Sequence, residues 1–292
     1  MITPTKAVAY LNGRFLPIEE ATISPLDRGF SFGDGVYEVI PVYNGKVFHL
    51  KSHIIRLNQS LHGIRMLPPH TEAEWYTILQ TLVEKNTARD QWIYLQVTRG
   101  IEPEREHQFP TPVIPTIFAV SYPKVWRSKA EIALGIKVTS ITDIRWKLCH
   151  IKTTSRLAYV LMLQEVKDSG FDEGIIMNNG YALEGVSSNI FIVRHGVIIT
   201  PPKSPLILSG ITRDQVLRLA EKNKIPYRET GIKERELTKA DEIWITSSSR
   251  GIYPVVDYSG TPVGNGKAGP VWERMWDLYA EETVNFSMPV SP

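Results

Sequence analysis

The first candidate for chemistry is a lysine that precedes a predicted apolar helix. Lys152 stands a few residues ahead of Leu157, Val160 and Leu161, which belong to that helix. A lysine at a helix start that faces a cavity is partly desolvated, which lowers the pKa of its amine and lets it form a Schiff base. An exposed lysine before a helix has the same local pattern, and this pattern alone favours the exposed position.

A glutamate at the end of a predicted strand is the second candidate. Glu184 is followed by the turn 185–188 and then by another apolar strand. A carboxylate in that position could pair with a ring nitrogen and hold it protonated, which would make a cofactor ring an electron sink. A glutamate at a hairpin end can also lie in solvent, and without further context the solvent position is favoured.

Two segments have the composition of a phosphate cradle. In 208–213, Gly210 lets the backbone approach a ligand, and the helix predicted to start near Thr212 offers free N–H groups. Residues 212–215 also fit a capping box, which needs no ligand, and both interpretations stay open. The second segment, 246–251, follows an apolar strand and contains three serines, as an ordinary loop also can.

A long polar loop in the first half contains a cation and a histidine two residues apart. Arg105 and His107 could together hold a carboxylate. A solvated, charged loop is the commoner explanation of this pattern. The sequence contains no Walker loop, no Gly-rich dinucleotide motif, no Gly-x-Ser-x-Gly elbow and no metal-ligand cluster, so no metal site is expected.

Elements that position these residues follow from hydrophobic periodicity and turn residues. The pattern predicts helices over 51–63, 71–86, 154–169, 212–223, 233–239 and 268–283. It predicts strands over 7–11, 14–17, 36–43, 47–50, 92–99, 114–122, 134–140, 173–178, 181–184, 189–194, 197–200, 242–247 and 252–258. Hairpins in both halves indicate an α+β fold with two domains and a cleft between them. The predicted domains are 1–123 and 133–292, joined by a basic linker over 124–132, with Lys152 in the second.

Composition excludes several classes of protein. The 292 residues include 42% hydrophobic and 22% charged residues, which is an ordinary globular balance. The formal net charge of +2 gives no argument for nucleic acid or for an anionic membrane. No apolar run is long enough for a transmembrane helix. Cys149 is the sole cysteine, so a cytoplasmic location is expected.

The order of motifs along the chain resembles one enzyme family. The matching segments are 27–38 (DRGFSFGDGVYE), 42–45 (VYNG), 53–57 (HIIRL), 96–100 (QVTRG), 107–110 (HQFP), 143–146 (DIRW), 151–152 (IK), 184–185 (EG), 187–189 (SSN), 210–214 (GITRD) and 246–247 (TS). In this order they resemble the fold-type IV pyridoxal-phosphate enzymes, most closely the bacterial D-amino-acid aminotransferases. The resemblance runs from about residue 10 to residue 279 and implies that the cofactor binds in the interdomain cleft.

The resemblance implies a role for each matching residue. Lys152 matches the lysine that holds the cofactor as a Schiff base and moves the substrate proton, and Glu184 matches the carboxylate on the ring nitrogen. Leu208 matches the apolar residue under the ring. The phosphate-binding positions implied are Arg56, Ile211, Thr212 and Ser248, with Ser247 close by.

The resemblance also implies a substrate and an assembly. Tyr37, Arg105 and His107 match the group that binds the substrate α-carboxylate, in which the arginine and histidine come from the neighbouring subunit of a homodimer. The implied reaction moves the amino group of a D-amino acid, such as D-alanine, to a 2-oxo acid, such as 2-oxoglutarate, by a ping-pong mechanism. Branched-chain L-amino-acid or (R)-amine transamination, aminodeoxychorismate lyase activity and a non-catalytic binding protein on the same fold stay as alternatives.

Overall fold

The structure is a computed structural model that describes residues 7–287, whose backbone contacts divide into two units. Unit one comprises residues 7–126, the segment Ile151–Arg156 and residues 285–287. Unit two comprises Arg127–His150 and Leu157–Val284. The chain therefore first leaves unit one inside the predicted linker 124–132. The predicted domains also include residues 1–6 and 288–292, which lie outside the described residues.

Lys152 belongs to unit one, whereas the sequence predicts it in the C-terminal domain. The reason is backbone pairing along one edge of the strand Gly35–Tyr43. The Tyr37 N–H donates to the Lys152 carbonyl over 3.0 Å, and the Thr154 N–H donates to the Gly35 carbonyl over 3.0 Å. The segment Ile151–Arg156 thus satisfies backbone groups that the strand would otherwise expose.

Unit one has helices on a sheet whose strand pairs are antiparallel. Its strands are β1 (Val8–Leu11), β2 (Arg14–Pro17), β3 (Gly35–Tyr43), β4 (Lys46–Val47), β5 (Gln91–Thr98) and β6 (Thr116–Pro123). Its helices are α1 (Arg28–Phe32), α2 (Leu50–Gly63) and α3 (Glu72–Lys85), with a 3-10 turn at Ile18–Glu20. Among the described residues the sheet has six strands in the order β2-β1-β6-β5-β3-β4.

The core of unit one lies between β3, β5 and the helices α2 and α3. Alternate residues of β3 are fully buried on one face, among them Val36, Ile40 and Val42. Leu57 and Leu61 of α2 belong to the same hydrophobic cluster. Period two on the strand and period 3.6 on the helix therefore bring their apolar stripes together.

Unit two contains a larger mixed sheet. Its strands are β7 (Ile136–Thr142), β8 (Glu173–Asn178), β9 (Tyr181–Gly185), β10 (Asn189–Arg194), β11 (Val197–Thr200), β12 (Tyr227–Glu229), β13 (Ile232–Lys233), β14 (Glu242–Ser247), β15 (Gly251–Tyr258) and β16 (Thr261–Pro262). Its helices are α4 (Lys129–Ala133), α5 (Leu157–Asp168), α6 (Ile211–Lys222), α7 (Glu234–Leu237) and α8 (Pro270–Ser287), the last three residues of which are assigned to unit one. The order is β12-β11-β10-β14-β15-β7-β8-β9-β13, with β16 beside β15.

The core of unit two is built on the central strands β10 and β14. Nearly every residue of both strands is buried, including Phe191 and Trp244, as expected for strands covered on both faces. From α8, Trp272 and Met275 are fully buried in the same cluster. This unit therefore holds the turns that follow β9 and β14 on a rigid sheet.

The predicted helices and long strands are confirmed, with ends that shift by a few residues. The predicted strand 47–50 is wrong in extent, because pairing stops at Val47 and α2 begins at Leu50. The short elements α1, α4, β12, β13 and β16 were not predicted, since segments of two to five residues give too little periodicity. The α+β class is confirmed. Within residues 7–287, no helix is long and apolar enough to cross a membrane.

Candidate active site

Lys152 lies beside an aromatic ring in unit one. Its Nζ is 4.3 Å from the centre of the Tyr37 ring, and its backbone N–H donates to Ser60 Oγ over 3.1 Å. Burial lowers the pKa of the Lys152 amine, and the positive charge of Arg56 acts in the same direction while Tyr37 opposes it. A larger fraction of this amine is therefore neutral than in an exposed lysine, as nucleophilic attack on a carbonyl requires.

A buried carboxylate fixes Arg56, one of the predicted phosphate ligands. Arg56 Nε donates to Glu38 Oε1 over 2.7 Å, and its Nη2 donates to Glu38 Oε2 over 2.6 Å. His53 Nδ1 lies 2.8 Å from the same Oε2. Burial alone would raise the pKa of Glu38, but the charge and hydrogen bonds of Arg56 lower it to about 2. Arg56 is therefore held in one orientation by a two-pronged, charged contact.

Tyr37 is supported by a second tyrosine on the neighbouring strand. The rings of Tyr37 and Tyr94 stack with their centres 5.7 Å apart, and the Tyr94 hydroxyl donates to Gln96 Oε1 over 2.6 Å. Burial alone would raise the pKa of Tyr37, but the charges of Lys152 and Arg156 lower it. The Tyr37 hydroxyl is thus a better hydrogen-bond donor than an ordinary phenol.

The other two predicted carboxylate ligands lie on a different part of unit one. The Arg105 Cζ atom is 4.7 Å from the centre of the Phe32 ring, and the His107 ring centre is 5.3 Å from it. Both side chains are exposed. Among residues 7–287, neither contacts Tyr37 or Lys152 through a hydrogen bond, ion pair or ring contact. The structure of a single chain therefore does not bring the predicted carboxylate group together.

Glu184 is buried in unit two with both of its oxygens hydrogen-bonded. Its Oε1 accepts from Arg145 Nη1 over 2.5 Å. Its Oε2 accepts from the Leu208 N–H over 2.9 Å and from Asn189 Nδ2 over 3.3 Å. Asn189 Nδ2 also donates to the Leu208 carbonyl over 2.8 Å. Two predicted site residues, Glu184 and Leu208, are therefore joined directly, and each contact favours the ionised carboxylate.

Arg145 orients Glu184 and is itself fixed by Asp143. Its Nε and Nη2 donate to the two oxygens of Asp143 over 2.9 and 3.1 Å, and its Nη2 also donates to the Leu206 carbonyl. Burial alone would lower the pKa of Arg145, but the carboxylates of Asp143 and Glu184 raise it well above its ordinary value. Arg145 is therefore held in its charged form beside these two carboxylates.

The predicted phosphate cradle at 208–213 is the start of α6. Gly210 is the N-cap residue, and no side chain caps the helix there. A Cβ atom on Gly210 would lie 1.9 Å from Asn189 Oδ1, so only glycine allows this approach. The capping box considered for 212–215 is wrong, because Ile211 and the buried Thr212 already lie in the first turn. Their backbone N–H groups suit an anion.

The second predicted cradle is the turn that follows β14. Ser247 ends the strand, its Oγ lies 3.3 Å from Ser249 Oγ, and Ser248 is partly buried beside it. The buried Glu173 accepts from Ser187 Oγ over 2.7 Å and from Arg250 Nη1 over 3.3 Å. Glu173 therefore links the turn after β9 to the turn after β14.

Two buried hydroxyls near these turns have no hydrogen-bond partner among the described residues. They are Ser188 Oγ and Thr246 Oγ1. A buried hydroxyl without a partner costs about 1–3 kcal/mol, so such atoms suggest a ligand or a water. Within residues 7–287, no group of three or more His, Cys, Asp or Glu side chains is arranged to hold a metal ion.

Three residues that support the predicted site were missed as functional residues. Glu38 had a detectable signal, since it interrupts the apolar face of β3 formed by Val36 and Ile40, and a carboxylate there needs a buried partner. Arg145 and Asn189 lie in the matching segments 143–146 and 187–189, but nothing local to either residue indicates its contact with Glu184, which is 39 positions from Arg145 and five from Asn189.

Comparisons with known proteins identify the family to which the chain belongs. The family model described as Amino-transferase class IV matches residues 35–258. A D-alanine aminotransferase of Bacillus licheniformis is 39% identical over 264 residues, covering 90% of this chain and 93% of that protein. One of Staphylococcus aureus (strain COL) is 37% identical over 281 residues, covering 96% and 99%.

Two solved structures of similar shape are branched-chain aminotransferases. That of Escherichia coli has a TM-score of 0.87 and 25% identity, with 95% of this chain and 94% of that chain covered. That of the thermophilic archaeon Thermoproteus uzoniensis, solved with norvaline, has a TM-score of 0.86 and 27% identity, covering 95% of each chain. The family model matches well over half of the chain, and the chain belongs to the class IV aminotransferases.

Proposed function

We propose that this chain is a pyridoxal-phosphate-dependent transaminase that moves the amino group of a D-amino acid, such as D-alanine, to a 2-oxo acid, such as 2-oxoglutarate. The observation that carries the proposal is the amine of Lys152, whose pKa burial lowers, beside the ring of Tyr37. The relatives named D-alanine aminotransferase match nearly the whole chain and support this substrate class.

The donors and acceptors present fit pyridoxal phosphate. Glu184 is an anion with two engaged oxygens, which suits a protonated ring nitrogen. The first turn of α6 offers N–H groups and the Thr212 hydroxyl to a phosphate, and Ser247 and Ser248 offer two more hydroxyls. Leu208 would lie against the ring. The partnerless hydroxyls of Ser188 and Thr246 are consistent with a polar ligand at these turns.

Each residue then has a task. When bound, pyridoxal phosphate supplies an aldehyde that takes up the amino group and a ring that accepts negative charge. Lys152 would hold the cofactor covalently between turnovers, and its amine, once displaced by the substrate amine, would take the proton from substrate Cα onto Nζ. Glu184 keeps the ring nitrogen protonated, and Arg56 contributes a fixed positive charge for the phosphate. Tyr37, Arg105 and His107 bind the substrate α-carboxylate.

A panel of amino donors tests the proposal. Protein saturated with pyridoxal phosphate is assayed with 2-oxoglutarate and D-alanine, L-leucine or (R)-1-phenylethylamine, and formation of the 2-oxo product is measured. D-Alanine is expected to be the best donor. Turnover of L-leucine but not of D-alanine would instead support a branched-chain enzyme, a possibility raised by the Escherichia coli structure. Release of pyruvate from aminodeoxychorismate would indicate the lyase.

Two variants accompany the panel. Lys152→Ala is expected to abolish steady turnover, because the group that holds the cofactor and moves the proton is gone. Lys51→Ala, at an exposed position of α2, is the matched control and is expected to be fully active. Near-normal turnover by Lys152→Ala would contradict the assignment. A wild-type protein that stays colourless after soaking in pyridoxal phosphate would favour a non-catalytic binding protein.

The chain is further proposed to work as a homodimer in the cytoplasm, without nucleic-acid or membrane partners. In one chain Arg105 and His107 contact Phe32 rather than Tyr37, which supports completion of carboxylate binding by a second copy. Light scattering gives the oligomeric state. Co-expression of Lys152→Ala with Arg105→Ala should restore turnover, since a mixed dimer has one intact site. Turnover no higher than that of Arg105→Ala alone would contradict the exchange of Arg105 between subunits.

A further inference from the structure

A buried arginine in α1 holds the backbone of the loop that contains Arg105 and His107. Arg28 is 3% exposed, and its Nη1 donates to the Glu106 carbonyl over 2.6 Å. Its Nη2 lies 3.4 Å from the His107 carbonyl. One planar guanidinium therefore contacts the carbonyls of the two residues that follow Arg105, and it does so from a helix of unit one.

Asp34 keeps this arginine in place and also fixes the start of the loop. Its Oδ2 accepts from Arg28 Nε over 2.9 Å and from Arg99 Nε over 2.7 Å, and its Oδ1 accepts from Arg99 Nη2 over 3.0 Å. Arg99 follows β5 directly, and its guanidinium lies 3.7 Å from the centre of the Phe109 ring. A single carboxylate thus ties together both ends of the segment 99–109.

The side chains of Arg105 and His107 share a support that belongs to the same helix. Phe32 is the last residue of α1, and its ring lies within 4.8 Å of the Arg28 guanidinium carbon and 4.7 Å of the Arg105 guanidinium carbon. His107 packs on the same ring. Neither Arg105 nor His107 makes a side-chain hydrogen bond within residues 7–287, so the backbone contacts of Arg28 and the ring of Phe32 are the interactions that support them.

We infer that Arg28, with Asp34 and Phe32, is a positioning residue for recognition of the substrate carboxylate. The inference rests on the proposed function, in which Arg105 and His107 bind that carboxylate. Arg28 touches no substrate. It sets where Arg105 and His107 present their donors, so its loss should weaken binding of the substrate and leave the chemistry at Lys152 intact.

Arg28→Lys is the sharpest test. Lysine keeps the charge that Asp34 needs, but a single ammonium cannot reach Asp34 and both carbonyls at once. With D-alanine, KM is expected to rise about tenfold, while kcat changes less than about twofold and the absorbance of the bound cofactor is unchanged. Arg89→Lys, an exposed arginine whose Nε contacts Asn44 Oδ1, is the matched control with unchanged KM.

A double-mutant cycle separates positioning from general structural support. In an Arg105→Ala/His107→Ala background, Arg28→Lys should change KM less than about twofold, because nothing is left to position. Phe32→Leu keeps an apolar side chain but removes the ring, and is expected to raise KM about threefold. This second variant decides the question if Arg28→Lys folds poorly, as its melting temperature would show.

The outcomes are distinguishable. A wild-type protein that does not use D-alanine contradicts the proposed function. If the wild type is active and KM is unchanged in both Arg28→Lys and Phe32→Leu, the positioning role is overturned. It is also overturned if Arg28→Lys still raises KM tenfold in the Arg105→Ala/His107→Ala background. A normal KM in that background overturns the carboxylate assignment and the inference with it.

Discussion

Each unit contains a buried arginine paired with a buried glutamate, and the two pairs have opposite uses. In unit one, Glu38 engages both oxygens with Arg56 and His53, so the carboxylate is a support and the arginine is the proposed ligand. In unit two, Arg145 directs its donors to Asp143, the Leu206 carbonyl and Glu184, so the arginine is the support. The glutamate is then the proposed ligand.

The third residue of each cluster, His53 in unit one and Asp143 in unit two, decides the net charge of that cluster. Burial lowers the pKa of His53, so the cluster of Glu38, Arg56 and His53 is neutral overall near pH 7. Asp143 adds a second carboxylate beside Arg145, which leaves one negative charge in excess. An arginine–glutamate pair therefore fixes the cation Arg56 in unit one and the anion Glu184 in unit two. A cation suits the phosphate of the proposed cofactor, and an anion suits its ring nitrogen.

The largest effect is expected at the anionic cluster. Glu184→Gln removes the charge that would hold the ring nitrogen protonated but keeps the shape, so kcat with D-alanine should fall about 10³-fold. Bound cofactor should change little, whereas the melting temperature should fall because the amide NH2 cannot accept from the donors that Glu184 engages. Steady-state kinetics at saturating pyridoxal phosphate measure the change. A kcat within about threefold of wild type would remove Glu184 from the mechanism.

At the neutral cluster of Glu38, Arg56 and His53 we expect a substitution to lower mainly the free energy of unfolding and to change kcat little. Glu38→Gln leaves the buried Arg56 without its counter-charge, which should cost about 3 kcal/mol of unfolding free energy. Cofactor affinity should fall as Arg56 loses its orientation, with a far smaller change in kcat than in Glu184→Gln. Urea denaturation and titration with pyridoxal phosphate measure both. If kcat falls equally in Glu38→Gln and Glu184→Gln, the two clusters do not differ in function.

The smallest effect is the pH dependence of that stability. The pKa of Glu38 is lowered from 4.5 to about 2, so its contribution is fully present above pH 4.5 and is lost as pH falls towards 2. The difference in unfolding free energy between wild type and Glu38→Gln should therefore shrink by about 2 kcal/mol between pH 6 and pH 3. A difference that stays constant over this range would mean that Glu38 is not held by Arg56.

Sequence alone singled out the proposed ligands of these clusters, Arg56 and Glu184, but not the residues that support them. Lys152 has an unremarkable local pattern, and only the order of motifs around it singled it out. Its place in unit one was not foreseen, because pairing with the edge of β3 is a long-range event. Arg145 and Glu184 are 39 positions apart and meet only because β7, β8 and β9 are neighbours. The apolar periods fixed the helices, since burial of one face dominates their formation.

The return of Ile151–Arg156 to unit one has a consequence for the growing chain. The ribosome makes residues 127–150 of unit two before it makes the segment that pairs with Gly35 and Tyr37. The edge of β3 at Gly35 and Tyr37 is therefore uncovered until residue 156 has left the exit tunnel, and the segment that covers it arrives together with the start of α5. A gene cut at residue 126 would encode a sheet with one uncovered edge and no Lys152, so neither unit can be inherited or transplanted as a single continuous stretch.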